Sequence, residues 1–136
     1  MNVEFFDRQD ERNPLNGLRI SETARLIELL DQLQVQLQRR TPFFYELIGE
    51  NGHEILVGID GNGGCVQYSR TDGSPPYFMA LSAAPEQSEG FVEFLIGGTK
   101  TPVPSRYYLP TDAVHQIATY FQVTGERSPK ISWEEI

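Results

Sequence analysis

Hydrophobic and polar positions alternate most regularly in the centre of the chain, over residues 43–68. This stretch reads FFYELIG-ENGH-EILVGID-GNGG-CVQY, which is three apolar runs separated by two glycine-bearing turns. Phe, Tyr, Ile and Val dominate the runs, and these residues suit a pleated, half-buried surface. Asn51 and Gly52 predict a hairpin, because a tight primed turn needs positive φ at its central residues. Residues 60–64 predict a second, looser turn, so the pattern favours a three-stranded antiparallel meander.

Two further segments carry apolar residues at helical spacing and predict helices that cover this sheet. Four of the five leucines in residues 22–38 indicate one buried stripe. Residues 111–123 follow an i, i+3, i+4, i+7 pattern. We expect Ser21 and Thr111 to cap the two helices and Gly125 to end the second one. The stripes consist of Leu26, Leu30, Leu33 and Leu37, and of Val114, Ile117, Ala118 and Phe121.

Shorter apolar runs outside the meander predict additional strands. Consecutive strands with a helix before and after them are typical of α+β domains with an antiparallel sheet. We therefore predict a single α+β domain over residues 1–136, in which two helices cover an antiparallel meander and a short C-terminal strand joins it. The additional segments are an edge strand at 3–6 with a loop to residue 17, strands at 77–81, 91–96 and 131–133, a polar connection at 82–90, and a proline-bearing loop at 97–105.

The charge balance narrows the range of partners. Acidic residues outnumber Lys and Arg by 19 to 11, which gives a formal net charge of −8. Binding to nucleic acid needs basic residues against phosphate, so this balance argues against it and permits a basic protein partner. Solubility alone also explains an acidic surface. No apolar run approaches the about 20 residues of a membrane span, and the charged N-terminus and single cysteine favour a cytoplasmic location.

Patterns of catalytic or metal-binding residues are nearly absent. The turn that begins at Asp60 departs from a calcium loop at Cys65 and Thr71, where that loop needs glycine and glutamate. Neither His53 nor His115 has a second ligand at metal-binding spacing. We therefore predict no catalytic residue, no metal and no cofactor.

Two alternatives remain open at this point. A small enzyme would use Cys65 with a histidine as a thiolate dyad, or a carboxylate pair such as Glu134 and Glu135. A lone cysteine in a strand is more often a small buried hydrophobe, and adjacent strand residues point apart. A homodimeric adaptor domain would instead associate through an exposed strand edge or the leucine helix.

The last third of the chain carries a more specific pattern. Residues 111–135 combine a capped helix with Thr124 and Gly125, then Pro129, then a terminal Ile-Ser-Trp-Glu run. This arrangement resembles immunity protein family one of bacterial polymorphic toxin systems. The leading helix, the glycine-rich hairpin VGIDGNGGCVQY and the proline-bearing loop before the last helix are also similar to that family. The resemblance covers residues 20–135.

The resemblance implies an α+β immunity protein, made beside a toxin gene and kept in the cytoplasm. Toxins associated with this family are of the nucleic-acid deaminase type, with a zinc-activated water and a pocket for the target base. The immunity protein would have no catalytic residue or cofactor of its own, and would dock onto the toxin and exclude its substrate. An acidic protein suits the basic cleft of such a toxin and is steered to it quickly.

Loops on a rigid sheet commonly carry recognition, so we predict partner contacts among their acidic and aromatic residues. The predicted contact residues are Asp60, Asp72, Tyr77, Glu86 and Glu89. Residues that match the family pattern are assigned to the fold, with a core anchor favoured over an interface role for the tryptophan. These residues are Gly125 as helix stop, Pro129 in the turn, Trp133 as strand anchor, and Glu134.

Overall fold

A computed structural model describes most of the chain, and its residues form two helices and ten strands. The described residues are 1–38, 40–85, 89–96 and 99–136, without the side chains of 95 and 96. The elements are β1 (Val3–Asp7), β2 (Leu18–Ile20), α1 (Thr23–Gln36), β3 (Phe43–Gly49), β4 (His53–Ile59), β5 (Gly63–Arg70), β6 (Phe78–Ala80), β7 (Phe91–Ile96), β8 (Thr99–Pro104), β9 (Leu109–Pro110), α2 (Thr111–Thr124) and β10 (Trp133–Glu135). Parts of the connections predicted at 82–90 and 97–105 lie outside the described residues.

The strands form one sheet in the order β10-β6-β5-β4-β3-β1-β2, and neighbours along this path are antiparallel. β7 leaves this path, because it pairs in parallel with β3 opposite Phe43 and antiparallel with β8. β9 is added antiparallel to β5. A mostly antiparallel sheet with two helices and a C-terminal strand confirms the predicted α+β class.

The central meander forms as predicted, but its first turn differs in type. Tyr45 lies opposite Val57, and Val57 lies opposite Val66, so β3, β4 and β5 are consecutive neighbours. Gly52 has a φ of 84°, whereas no described residue other than glycine has a positive φ. The connection is therefore a three-residue loop, 50–52, with glycine in the left-handed region at its last position rather than a primed two-residue turn.

Neither helix begins with the side-chain cap predicted for it. The residues that precede the helices are Glu22 and Pro110, and neither makes a side-chain capping hydrogen bond. Ser21 lies one residue before the cap position, and Thr111 is already the first helical residue because the fixed φ of the proline suits the extended cap conformation. The end of α2 is as predicted, since Gly125 adopts a φ of 73° and its N–H closes the last turn.

Three strand predictions were wrong in position or kind. β1 is not an edge strand, because β3 and β2 pair with its two sides. Residues 99–104 form β8 instead of a loop, and two prolines are tolerated there because, among the described residues, only β7 pairs with this strand. The last strand begins at Trp133 opposite Ala80, since Ile131 still belongs to the preceding turn. The short strands β2 and β9 were not predicted.

The helices cover one face of the sheet and enclose the main core. Alternate residues of β3, such as Phe43 and Tyr45, point to this side and are fully buried. The predicted stripe of α2 is buried here, and so is that of α1, except that Leu29 is buried while Leu37 is only partly so. Because α1 turns its leucines into the core of its own chain, they do not form an exposed seam for a partner helix.

The opposite face carries a smaller core at one end only. The β7–β8 hairpin and a 3₁₀ turn at Ser105–Tyr107 cover Phe44 and Cys65 there. Phe44 and Phe94 meet edge to face, with 5.3 Å between their ring centroids. The described elements leave the other half of this face open to solvent. In the described part of the chain, no helix has the length and apolar character needed to cross a membrane.

Candidate partner-binding surface

The uncovered half of the sheet presents two rows of side chains that cross the strands. In the first row, Glu4 lies opposite Ile48 and Ile48 opposite Glu54; in the second, Phe6 lies opposite Glu46. Residues paired in this way point to the same side of the sheet. Their strand neighbours are buried under the helices, whereas these side chains are partly exposed. We call this surface the open sheet face, and its members are Glu4, Phe6, Glu46, Ile48, Glu54, Leu56, Gln67, Ser69 and Glu134.

Three of the four carboxylates of the open sheet face are paired with arginines. Glu54 has no arginine within ion-pair distance among the described residues, while each of the other three has one. Exposed pairs of this kind contribute about 0–1 kcal/mol each to stability, so their main effect is to hold the carboxylates in place. The pairs are Arg8 with Glu46 at 2.6 Å, Arg19 with Glu4 at 3.6 Å, and Arg106 with Glu134 at 3.6 Å.

Glu46 and Glu54 lie at the centre of the open sheet face, and their carboxyl groups are hydrogen-bonded to each other. Partial burial, the charge of Glu46 and a hydrogen bond between the two carboxyls raise the pKa of Glu54 to about 7, against the opposing charge of Arg8. Ionisation of Glu54 is therefore less favourable in the isolated protein than it is in water. A cation supplied by a partner would favour the charged form.

We predict that Glu54→Gln removes a pH-dependent loss of stability. Because folding raises this pKa from 4.5 to about 7, the native state holds the proton more tightly, and stability falls as the pH rises through that window. The free energy of unfolding of the variant should vary less between pH 4.5 and 7 than that of the wild type. At pH 8 the variant should be more stable by about 1 kcal/mol, after solvent screening is allowed for. Urea denaturation at several pH values measures this effect, with the exposed Glu28→Gln as control. Parallel curves for variant and wild type would contradict it.

The predicted contact residues lie at both ends of the sheet. Asp60 occupies the turn before β5, where its Oδ1 accepts the N–H groups of Asn62 and Gly63 at 2.8 Å and the hydroxyl of Tyr108 at 2.7 Å. Asp72 follows the other end of β5. A strand of eight residues separates them by about 26 Å, so they are not close neighbours.

Two of the predicted residues stand together in the loop before β6. Asp72 accepts both the N–H and the hydroxyl of Ser74, at 2.9 and 2.6 Å, and Tyr77 donates to a backbone carbonyl of the same loop. Glu89 is exposed beside the start of β7. Glu86 lies outside the described residues.

The residues of the family pattern meet where α2 ends against the sheet. The carbonyl of Gly125 accepts the hydroxyl of Tyr68 at 2.9 Å and the side-chain amide of Asn51 at 3.0 Å. The indole N–H of Trp133 donates to the carbonyl of Ser128 at 3.0 Å. These hydrogen bonds tie the end of α2 to β5, to the first hairpin turn and to β10.

Glu134 and Pro129 lie on either side of the last strand. The carboxylate of Glu134 accepts the hydroxyl of Tyr107 at 2.9 Å, which links β10 to the 3₁₀ turn. Pro129 lines a shallow cavity of about 320 Å³ next to Trp133. Glu134 is therefore both a member of the open sheet face and a support for the smaller core.

The residues considered for catalysis are not gathered into a reactive site. Cys65 is 2% exposed, and burial raises the pKa of its thiol to about 12, which disfavours the thiolate that a nucleophile needs. His53 opens β4 rather than lying in the turn, and its ring stacks on Tyr68. Burial lowers the pKa of His115 on α2. No group of three His, Cys, Asp or Glu that could hold a metal occurs among the described residues.

Sequence reasoning missed the open sheet face because its members come from separate strands. Only the register of the strands brings Glu4, Glu46 and Glu54 to one side. The available signal was the alternation of side chains within each strand. Glu46 and Glu54 are charged residues in otherwise apolar strands, at positions that alternation places on the same face as Ile48 and Leu56.

Comparison with known proteins identifies the family. The search of curated proteins gave no match. The family described as immunity protein Imm1 matches residues 16–135. This match includes both helices and every described strand except β1, in agreement with the resemblance noted from the sequence. The chain belongs to the Imm1 family of immunity proteins, and it has an immunity function directed against a toxin.

Proposed function

We propose that this protein neutralises its toxin by docking onto it and covering its active-site cleft, without chemistry of its own. The toxin is a nucleic-acid deaminase, as the family resemblance implies, and the encounter takes place in the cytoplasm. The whole chain of 136 residues acts as one domain that presents a rigid binding surface.

The open sheet face is the observation that carries this proposal. A deaminase that acts on nucleic acid needs a basic cleft for phosphates. The open sheet face offers four carboxylates, three of them paired with arginines and Glu54 unpaired, within a chain of net charge −8. Opposite potentials steer the two surfaces together and set their orientation. The unfavourable ionisation of Glu54 in the free protein becomes favourable beside a lysine or arginine of the cleft.

The predicted loop residues fit this proposal as the margins of the same interface. A standard interface covers about 800 Å² on each partner, which corresponds to a patch about 30 Å across. A patch of that width, centred on the open sheet face, spans the distance between Asp60 and Asp72. We propose these residues, with Tyr77, Glu86 and Glu89, as peripheral contacts. Competition with abundant nucleic acid requires a dissociation constant of about 1 nM or below, or about −12 kcal/mol.

The Glu4→Lys/Glu54→Lys variant tests the surface. Both positions are partly exposed, and a lysine at 54 gains Glu46 as a neighbour, so the fold should be retained. We expect the affinity for the cognate toxin to fall by about 10-fold or more, mostly through slower association. Surface plasmon resonance measures both rate constants, and survival during co-expression of the toxin measures protection.

Glu22→Lys/Glu28→Lys is the matched control. It changes the net charge by the same amount but lies on and beside α1, on the opposite side of the sheet. This control should keep close to wild-type affinity and protection. Equal losses in the two double variants would show that overall charge, and not the open sheet face, determines binding.

A further inference from the structure

A basic pocket stands at the end of β4 and β5 on this acidic protein. It is a shallow cavity of about 270 Å³, and its walls include Arg70, Arg127 and His53. His53 and Arg70 lie opposite each other at the ends of their strands, next to the Glu54–Ser69 pair of the open sheet face. The pocket therefore adjoins the open sheet face around the edge of the sheet.

Arg127 is held at the pocket by aromatic rings. Its guanidinium carbon lies 3.8 Å from the centroid of Phe78 and 5.8 Å from that of Tyr68. Stacking fixes the plane of the guanidinium and leaves the N–H groups at its edge available for a bidentate acceptor. Neither Arg127 nor Arg70 has a carboxylate within 4.0 Å among the described residues.

The second wall of the pocket is equally fixed. The ring of His53 stacks on Tyr68 with 5.1 Å between centroids and 16° between planes. The hydroxyl of Tyr68 donates to the carbonyl of Gly125 at 2.9 Å, which anchors the stack to the end of α2. In the described part of the chain, Nδ1 of His53 is buried and has no hydrogen-bond partner. The stacked rings thus fix this wall of the pocket before any ligand arrives.

Two acidic residues stand close to this pocket and offset part of its positive charge. Glu126 is part of the lining, but its carboxylate makes no ion pair within 4.0 Å among the described residues. Asp72 lies near Arg70, and its Oδ1 is already occupied by the N–H and hydroxyl of Ser74.

A second cavity continues the groove on the other side of Arg127. It has a volume of about 320 Å³, shares Arg127 and Glu126 with the first, and includes Pro129, Ile131 and the partly exposed Trp133. Tryptophan and arginine are the side chains most often found at the energetic centre of protein interfaces. A segment lying across Arg127 would place a charged group on one side and an apolar group against Trp133 on the other.

We infer that this groove binds an acidic segment of the toxin, with one carboxylate between Arg70 and Arg127 and a neighbouring apolar side chain against Trp133. The inference rests on the proposed toxin-binding function and adds a contact of opposite polarity to the open sheet face. A carboxylate matches the guanidinium fork in charge and geometry. Nucleic acid is disfavoured as the occupant, because the surrounding chain carries a net charge of −8. An interface with charges of both signs fixes one orientation of the partner.

The Arg70→Gln/Arg127→Gln variant tests this inference in the full chain with the cognate toxin. Each charge-assisted contact contributes about 1.5–3 kcal/mol, so we expect the loss of both arginines to raise the dissociation constant by about 100-fold or more. Arg12→Gln/Arg25→Gln removes the same charge from one exposed and one partly exposed position and should change the dissociation constant by less than about 3-fold. Should the pocket variant unfold in a thermal melt, Arg70→Gln alone carries the test, with an expected rise of about 10-fold or more in the dissociation constant.

A charge swap identifies the occupant. Arg127→Glu should lose affinity, and a lysine substituted for one acidic residue of the toxin should restore it. Unchanged affinity in the pocket variant overturns the inference and leaves the proposed function standing. If the wild type binds a single-stranded 12-mer oligonucleotide and the pocket variant does not, the occupant of the groove is nucleic acid and the inference is overturned. Failure of the wild type to bind the toxin would instead refute the proposed function, and this inference with it.

Discussion

We expect the Asp7→Ala substitution to lower the free energy of unfolding by about 3–5 kcal/mol. The side chain of Asp7 is completely buried, and its two carboxylate oxygens accept hydrogen bonds from Arg40 at 2.7 and 3.2 Å. The amide of Asn13 and the N–H groups of Gln9 and Asp10 complete the set at 2.9–3.0 Å. Alanine would leave these donors without an acceptor in a site that water does not readily reach.

The effect is large because one carboxylate joins three parts of the chain. Asp7 ends β1, Asn13 belongs to the loop before β2, and Arg40 lies between α1 and β3. Burial acts to raise the pKa of Asp7, but the hydrogen bonds from Arg40, Asn13 and Gln9 outweigh it and lower the pKa below its ordinary 3.8. A lowered pKa gives stability that is present above that ordinary value and is lost as the pH falls through the lowered one.

Urea denaturation at pH 7 and at decreasing pH measures both effects of Asp7→Ala. The difference between wild type and variant should shrink as the pH falls below about 4. Glu4→Ala is the control in the same strand, because its ion pair with Arg19 is exposed and long at 3.6 Å, and it should cost less than about 1 kcal/mol. A loss below about 1 kcal/mol for Asp7→Ala would show that this network does not hold the loop to the sheet.

The second large effect concerns Gly64, for which we expect Gly64→Ala to cost about 2–4 kcal/mol. A Cβ atom at this position would lie 2.0 Å from the carbonyl oxygen of Gly58 in the neighbouring strand. That oxygen belongs to the backbone in the middle of the sheet, so it cannot move aside as a flexible side chain does. β4 and β5 would have to separate at the pair of Ile59 and Gly64.

Gly61→Ala is the matched control in the same turn. An added Cβ there meets no atom within 4 Å, and Gly61 is not among the glycines with positive φ. This substitution should be neutral or stabilising by up to about 1 kcal/mol, since alanine reduces the freedom of the unfolded chain. Equal midpoints of thermal unfolding for the two alanine variants would contradict the steric explanation.

The glycines of residues 60–64 show how far sequence reasoning reaches. The pattern located the turn between β4 and β5, because glycine and asparagine are common in turns. Gly63 and Gly64 nevertheless belong to β5 and have no positive φ. They are required because β9 and β4 approach closely: a Cβ at Gly63 would lie 2.1 Å from the carbonyl oxygen of Leu109. A contact with a residue more than forty positions away leaves no local signal.

The same limit explains the other differences. Polar and apolar residues alternate strongly in β3, β4 and β5, because one face of these strands lies under the helices and the other is partly exposed. All three strands were therefore predicted from the sequence. β8 was hidden by Pro102 and Pro104, which an edge strand accommodates and a central strand does not. The predicted cap at Ser21 failed by one residue, since local propensity does not fix where a helix meets its tertiary contacts.

The candidate site was predictable in kind but not in place. The net charge and the family pattern indicated an acidic protein that binds a basic partner. The chosen residues came from loops, whereas Glu4, Glu46 and Glu54 share a surface only through strand register. The basic pocket was equally hidden, because Arg70 ends β5, Arg127 follows α2, and the two meet only in the folded chain.

The most direct test of the account is whether the protein and the nucleic-acid substrate exclude each other on the toxin. The catalytic domain of the cognate toxin, bound to a fluorescent single-stranded oligonucleotide, would be titrated with this protein while anisotropy and deamination are followed together. The account predicts that both signals fall in parallel and reach zero at one molecule of protein per toxin. A ternary complex that keeps the oligonucleotide bound while the protein is also bound would contradict it.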